Sequence, residues 1–224
     1  MRVTCSRQAA TVVFLLTEVD PRLEPAARTL GLEPMEGGFG RDYPSDHPHI
    51  DHIFHNFAAN IESLLRQKAR LLPVPWEQAL LTFCRIVEGE PIDWWLTGSA
   101  ALAVRGLPVA PGDLDLIVSR ESSARLEELM LPYIVEPPRP GFISDTFTRA
   151  FLHACVEWCA GIDERADQHL VGDVGLEAQR RLETVPWQGY TIRVPSLDLQ
   201  LAVNRARGLH GRVALIEQLI EQQQ

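Results

Sequence analysis

An Asp-x-Asp pair, Asp113 and Asp115, begins fourteen residues after a Gly98-Ser99 pair. Both sit within Trp94-Trp-Leu-Thr-Gly-Ser-Ala-Ala-Leu-Ala-Val-Arg-Gly-Leu-Pro-Val-Ala-Pro-Gly-Asp-Leu-Asp-Leu-Ile-Val118. Side chains alternate along a strand, so Asp113 and Asp115 project to one face and Leu114 and Leu116 to the other. Two carboxylates held that close repel each other unless a cation sits between them. A hard divalent ion, Mg2+ or Mn2+, takes oxygen ligands from one or two carboxylates and from substrate phosphates. The Gly98-Ser99 turn, running into a helix at Ala100, offers backbone N–H groups and a hydroxyl to a phosphate. Each residue also has a plainer role. Asp113 would cap a turn after Pro111-Gly112, and Asp115 would then be a solvent-facing strand residue.

The elements that must position these residues follow from apolar spacing and from Pro and Gly. Val12 to Leu16 reads as a strand. Pro21 to Leu30 reads as a helix with Asp20 at its N-cap, ended by Gly31. The Gly37-Gly38-Phe39-Gly40 turn leads to a second extended piece; it lacks the Gly-Lys-Ser/Thr ending of a P-loop. Ile50, Phe54, Phe57, Ile61, Leu64 and Leu65 recur three or four apart, placing a long helix within Ser45 to Leu72. A second helix spans Trp76 to Val87. Strands are expected at Ile92–Leu96, Leu114–Val118, Phe151–Trp158 and Tyr190–Val194, with a helix over Ser122–Leu131. Pro137, Pro138 and Pro140 predict an extended loop. Ser196 caps a helix starting near Leu197, and a last helix begins near Gly211. These elements divide the chain into an N-terminal α/β and helical extension over 1–72 and a catalytic-type domain over 73–224.

The chain has 224 residues, 46% hydrophobic and 23% charged, which is globular rather than disordered composition. The formal charge of −9 disfavours tight sequence-independent binding of nucleic acid, which relies on Lys and Arg contacts to phosphates. No apolar run approaches the ~20 residues of a membrane span, and Thr11–Leu16 has neither the basic flank nor the cleavage site of a secretory signal. A cytoplasmic location without membrane contact is expected. Cys5, Cys84, Cys155 and Cys159 contain no Cys-x-x-Cys pair and read as reduced thiols.

The ordered set Gly98-Ser99 and Asp113-Leu-Asp115, in its apolar setting from Leu96 to Val118, resembles the nucleotidyltransferase superfamily. That superfamily has the polymerase-beta-like fold and includes aminoglycoside and lincosamide nucleotidyltransferases and antitoxin-type relatives. A looser resemblance runs from about Phe151 to Arg207; nothing before about Pro73 is covered. The resemblance implies an α/β (α+β) fold with a mixed sheet flanked by helices. It implies Mg2+-dependent transfer of a nucleoside monophosphate from an NTP such as ATP to a hydroxyl of a small-molecule or protein acceptor. Asp113 and Asp115 would hold the metal, and Gly98 and Ser99 would cradle the β- and γ-phosphates. The alternative is a catalytically silent, antitoxin-like binding protein that keeps the fold.

Relatives with an intact site add a third acidic residue, which completes the metal site or acts as general base. Glu157, in Ala154-Cys-Val-Glu-Trp-Cys159, is the candidate, with Asp163 next; a structural ion pair is the other reading of Glu157. Arg105 is a candidate phosphate ligand. Asn204, Arg205 and Arg207 face either the triphosphate or solvent, and Gly208–Ala214 departs from the family pattern that follows them. The segment Asp46-His-Pro-His-Ile-Asp-His-Ile-Phe-His55 places His49, His52 and His55 at spacings that suit zinc or nickel, or else the wall of an acceptor pocket.

Overall fold

The computed structural model describes residues 1–163 and 172–222. The first 44 residues build a four-stranded antiparallel sheet from β1 (Arg2–Arg7), β2 (Thr11–Thr17), β3 (Glu33–Met35) and β4 (Gly38–Pro44), in the order β1-β2-β4-β3. A short 3-10 turn, Pro21–Leu23, and α1 (Glu24–Thr29) cross between β2 and β3. Asp20 caps that turn by accepting from the Arg22 amide at 2.9 Å, and Gly31 ends the helical stretch at φ +75°.

The long helix α2 (Ile50–Lys68) and α3 (Trp76–Val87) follow, separated by Pro73 and Pro75. A five-stranded mixed sheet comes next, in the order β5-β6-β9-β8-β7. Its strands are β5 (Trp94–Thr97), β6 (Leu114–Val118), β7 (Ile134–Arg139), β8 (Ser144–Leu152) and β9 (Ala154–Ile162). Only β6 and β9 run parallel. Helix α4 (Gly98–Val104) joins β5 towards β6, and α5 (Arg120–Met130) joins β6 towards β7. Beyond α6 (Leu176–Arg180), β10 (Leu182–Trp187) and β11 (Tyr190–Pro195) form a hairpin, and α7 (Leu197–Ala206) and α8 (His210–Gln222) close the chain. The hairpin turns at Gln188-Gly189, both at positive φ, the geometry that matches the twist of paired strands. The architecture is mixed α+β, as expected, and no described helix is long and apolar enough to cross a membrane.

Among the segments that differ from the sequence expectation, three have a clear local reason. Phe151–Trp158 is not one strand but a corner: β8 ends at Leu152, His153 turns at φ +65°, and β9 starts at Ala154. Both strands are buried there, so their apolar residues read as one run. Pro137 and Pro138 lie in β7 rather than in a loop. That strand forms the sheet edge and shifts register twice, so missing N–H donors cost it little. β1 is polar and mostly exposed, so it carries no apolar signal.

Helix α2 packs on both sheets. Phe57 and Phe54 meet Phe14 of β2 at ring-centroid distances of 5.2 and 5.1 Å. Asn56 donates to the carbonyls of Leu131 and Ile134 at 3.2 and 3.0 Å, and Gln67 to that of His153 at 2.8 Å. One contiguous core therefore runs from Val12 to Val194. Phe57 is fully buried at the meeting of the two sheets. Phe57→Ala should destabilise the protein by about 3–5 kcal/mol, and a thermal melt should show a single transition lowered by ~2–4 °C for each kcal/mol.

Candidate active site

Asp115 lies in β6 directly across the parallel ladder from Glu157 in β9, and Asp113 precedes β6 on the same side. One carboxylate oxygen from each of the three lies within 4.8 Å of the others. On the other flank of β6, Thr97 of β5 pairs with Asp115, which brings the next residue, Gly98, against its carboxylate. Gly98 has φ +65°, and a Cβ there would stand 2.4 Å from Asp115 Oδ2. Glycine is therefore required twice, by backbone angle and by space. Helix α4 then buries Ser99, Ala100 and Ala101, small residues that let it lie close to β6.

Cations surround the acids. Lys68, the last residue of α2, donates from Nζ to Asp113 Oδ2 and stands 3.8 Å from Glu157 Oε1. Arg149 of β8 donates from Nε to Glu157 Oε1 at 2.8 Å, and from Nη1 to Glu136 Oε1 and, at 3.0 Å, to the carbonyl of Leu30. Arg41 of β4 completes the chain with a 2.6 Å bond to Glu136 Oε2 and bonds to the carbonyls of Leu30 and Gly31. Arg149 and Glu136 are only 4% and 2% exposed, so their charges depend on one another.

These neighbours separate the carboxylates electrostatically. Burial, then the charges of Asp113 and Glu157, push Asp115 up to about 8. Burial pushes Glu157 up as well, but Arg149 and Lys68 outweigh it and hold that carboxyl below its ordinary value. Burial disfavours the Lys68 ammonium, yet the charges of Glu157 and Asp113 keep it protonated well above its ordinary range. All three donors in the acidic group are carboxylate oxygens, the chemistry that hard ions such as Mg2+ and Mn2+ take.

The acidic group opens into a cleft of about 300 Å³ lined by Lys68, Arg70, Gly98, Ser99, Asp113, Asp115, Arg207 and Arg212. A second recess of about 180 Å³ shares Gly98, Asp115 and Arg207 with it and adds Glu157, Phe147, Cys159 and Asp173. A larger hollow of about 720 Å³ lies beyond the other end of β6, around Ser119, Arg120 and Asp145, and contains none of the three carboxylates.

Gly98, Ser99, Asp113, Asp115 and Glu157 thus converge. Arg105 does not line either recess; its guanidinium holds Glu183 at 2.6 Å and the carbonyl of Pro195 at 2.9 Å. Asp163 lines the larger hollow, outside the acidic group. Asn204 is buried and donates to the carbonyl of Gln200, and Arg205 pairs with Glu217, leaving Arg207 as the member of that trio at the cleft. His49, His52 and His55 are exposed. Among the described residues, the one metal-competent group is Asp113, Asp115 and Glu157.

Sequence reasoning missed Lys68, Arg70, Arg149, Arg212 and Asp173, whose Oδ2 accepts from Thr97 Oγ1 at 2.7 Å. Lys68 had a signal. It continues the buried stripe Phe57, Ile61, Leu64 and Leu65 at helical spacing, where a charge needs a buried partner.

A raised folded-state pKa means that the folded protein holds a proton that the unfolded chain has released. Metal-free protein should therefore lose stability as pH rises from about 4 to about 8. Asp115→Asn should remove that slope and raise the melting temperature at pH 8, as read in melts across pH with a chelator present.

No family model matches this chain, and no curated protein matches it in sequence. Among solved structures it is similar to a candidate nucleotidyltransferase from Thermotoga maritima, with TM-score 0.47 and 19% identity over 67% of this chain and 94% of that one. It is also similar to an antigenic nucleotidyltransferase-like protein from Paracoccidioides brasiliensis, with TM-score 0.38 and 16% identity over 58% of this chain and 65% of that one.

Proposed function

We propose that this chain is a divalent-metal-dependent nucleotidyltransferase that moves a nucleoside monophosphate from an NTP to an acceptor hydroxyl and releases pyrophosphate. The observation that carries this reading is the contact of Gly98 with the Asp115 carboxylate, at the floor of a cleft walled by cations. The close approach keeps the backbone of the cleft wall against the one place among the described residues where three carboxylates meet, which supports a phosphate lying there.

Asp113 and Asp115 would hold Mg2+ or Mn2+. When bound, the ion would neutralise the phosphate oxygens and so favour attack at phosphorus. Gly98 and Ser99 form the wall along which the triphosphate lies. Arg70, Arg207 and Arg212 offset the charge of the phosphates that leave, a role suited to guanidinium groups aimed at phosphate oxygens. Glu157 lines the smaller recess, across the strand ladder from Asp115, which both recesses share. Arg149 and Lys68 keep it ionised, so it orients the acceptor hydroxyl through a hydrogen bond and lends it only weak basicity. The acceptor enters through the smaller recess, past Phe147 and Cys159. The cytoplasm, where NTP and Mg2+ are plentiful, suits this chemistry.

Two measurements test the reading. Each NTP is added with Mg2+ in a thermal melt; the right nucleotide at a hundredfold excess over its Kd should stabilise by about 2.7 kcal/mol, and Asp113→Asn with Asp115→Asn should abolish the effect. No shift with any nucleotide would overturn the donor site and leave the silent, partner-binding alternative. Gly98→Ala should cost about 1–2 kcal/mol of stability for its left-handed backbone. It should also displace the Asp115 carboxylate, so that the folded variant loses both metal-dependent nucleotide binding and transfer.

A further inference from the structure

The three carboxylates of the acidic group are not equally provided with cations. Glu157 has Arg149, and Asp113 has Lys68. Asp115 forms no ion pair with a described residue. The Lys68 ammonium touches Asp113 and stands 3.8 Å from Glu157, so it occupies the gap between those two acids. It is not a surface group that swings through this position. The side chain is 13% exposed, and its helix is locked one residue earlier, where Gln67 donates to the carbonyl of His153. A divalent ion bridging Asp113 and Glu157 would have to enter the space that this ammonium fills, against its charge. Among the described residues, no cation is paired with both Asp113 and Asp115.

We propose that Lys68 takes the place of one divalent cation, so that the acidic group holds a single metal ion, between Asp113 and Asp115. The inference rests on the nucleotidyltransferase reading and narrows it: one ion activates the donor, and a fixed ammonium does the charge-balancing of a second. Lys68 belongs to the N-terminal 72 residues, which lie outside the motif that suggested the activity. The extension is thereby part of the site, as the source of a positioning residue.

The test counts ions. Crystals are grown with Mn2+ and inorganic tripolyphosphate, a probe that does not depend on the nucleobase, and anomalous scattering locates the manganese. The wild type should show one peak, between Asp113 and Asp115, with Lys68 still against Asp113 and Glu157. Lys68→Met should show a second peak between Asp113 and Glu157, and Lys68→Arg, which keeps the charge, should show one. Mn2+ titration followed by electron paramagnetic resonance should give the same counts in solution, one rising to two. Two ions in the wild type, or one in Lys68→Met, would overturn the inference while sparing the proposed function. No ion in the cleft of any of the three proteins would overturn both. If Lys68→Met does not fold, the wild-type and Lys68→Arg counts still decide, because two ions in either is incompatible with an ammonium or guanidinium in the gap.

Discussion

The buried guanidinium of Arg149 is the contact on which the rest of this structure depends. It reaches Glu157 in the neighbouring strand, Glu136 at the sheet edge and the Leu30 carbonyl of the N-terminal unit. A charge this deep is tolerated only when its partners are complete, and loss of one partner leaves an uncompensated ion in an apolar setting. Arg41 shares both Glu136 and the Leu30 carbonyl, so the first sheet is tied to the second through the same acid. One network therefore ties the docking of the two sheets to the charge of a carboxylate in the acidic group.

Against that satisfied network, Asp115 forms no ion pair with a described residue, and the charge of Lys68 only partly offsets its acidic neighbours. It is buried, faces two other acids and has Gly98 pressed on it, an arrangement that costs stability in the absence of a ligand cation. Folded proteins keep such a cost where the site uses it. The contrast with Glu157 is instructive because the two occupy paired positions on adjacent strands. Their environments differ chiefly through Arg149 on the next strand, which faces Glu157, with Lys68 also within 3.8 Å of Glu157.

The helix α2 joins these two conditions. Its apolar stripe is driven into the space between the sheets by Phe57, Ile61, Leu64 and Leu65, and the same register delivers Lys68 to the acids. Packing energy thus places a charge that electrostatics alone would not bury. The N-terminal unit and the cleft are consequently parts of one core.

Much of the site was legible from residue types alone. Alternation along Leu114–Val118 put Asp113 and Asp115 on one side, and Gly98-Ser99 before a helix at Ala100 marked a turn with free backbone N–H groups; both are local properties of backbone geometry. Trp76–Val87 and Leu114–Val118 were readable to the residue because their apolar periodicity is uninterrupted. Local sequence could not show that Phe151–Trp158 bends at His153, since burial on both strands erases the boundary. Nor could it show which cations answer the acids. Lys68 and Arg149 lie 45 residues before Asp113 and 8 before Glu157, and which charges meet depends on strand order and helix docking, which are set by the packing of the whole core. Sequence alone determined that this chain sets two acidic residues on one face of a strand shortly after a Gly-Ser turn. Tertiary structure alone decided its electrostatics, because a buried charge is defined by the neighbours that the fold brings to it.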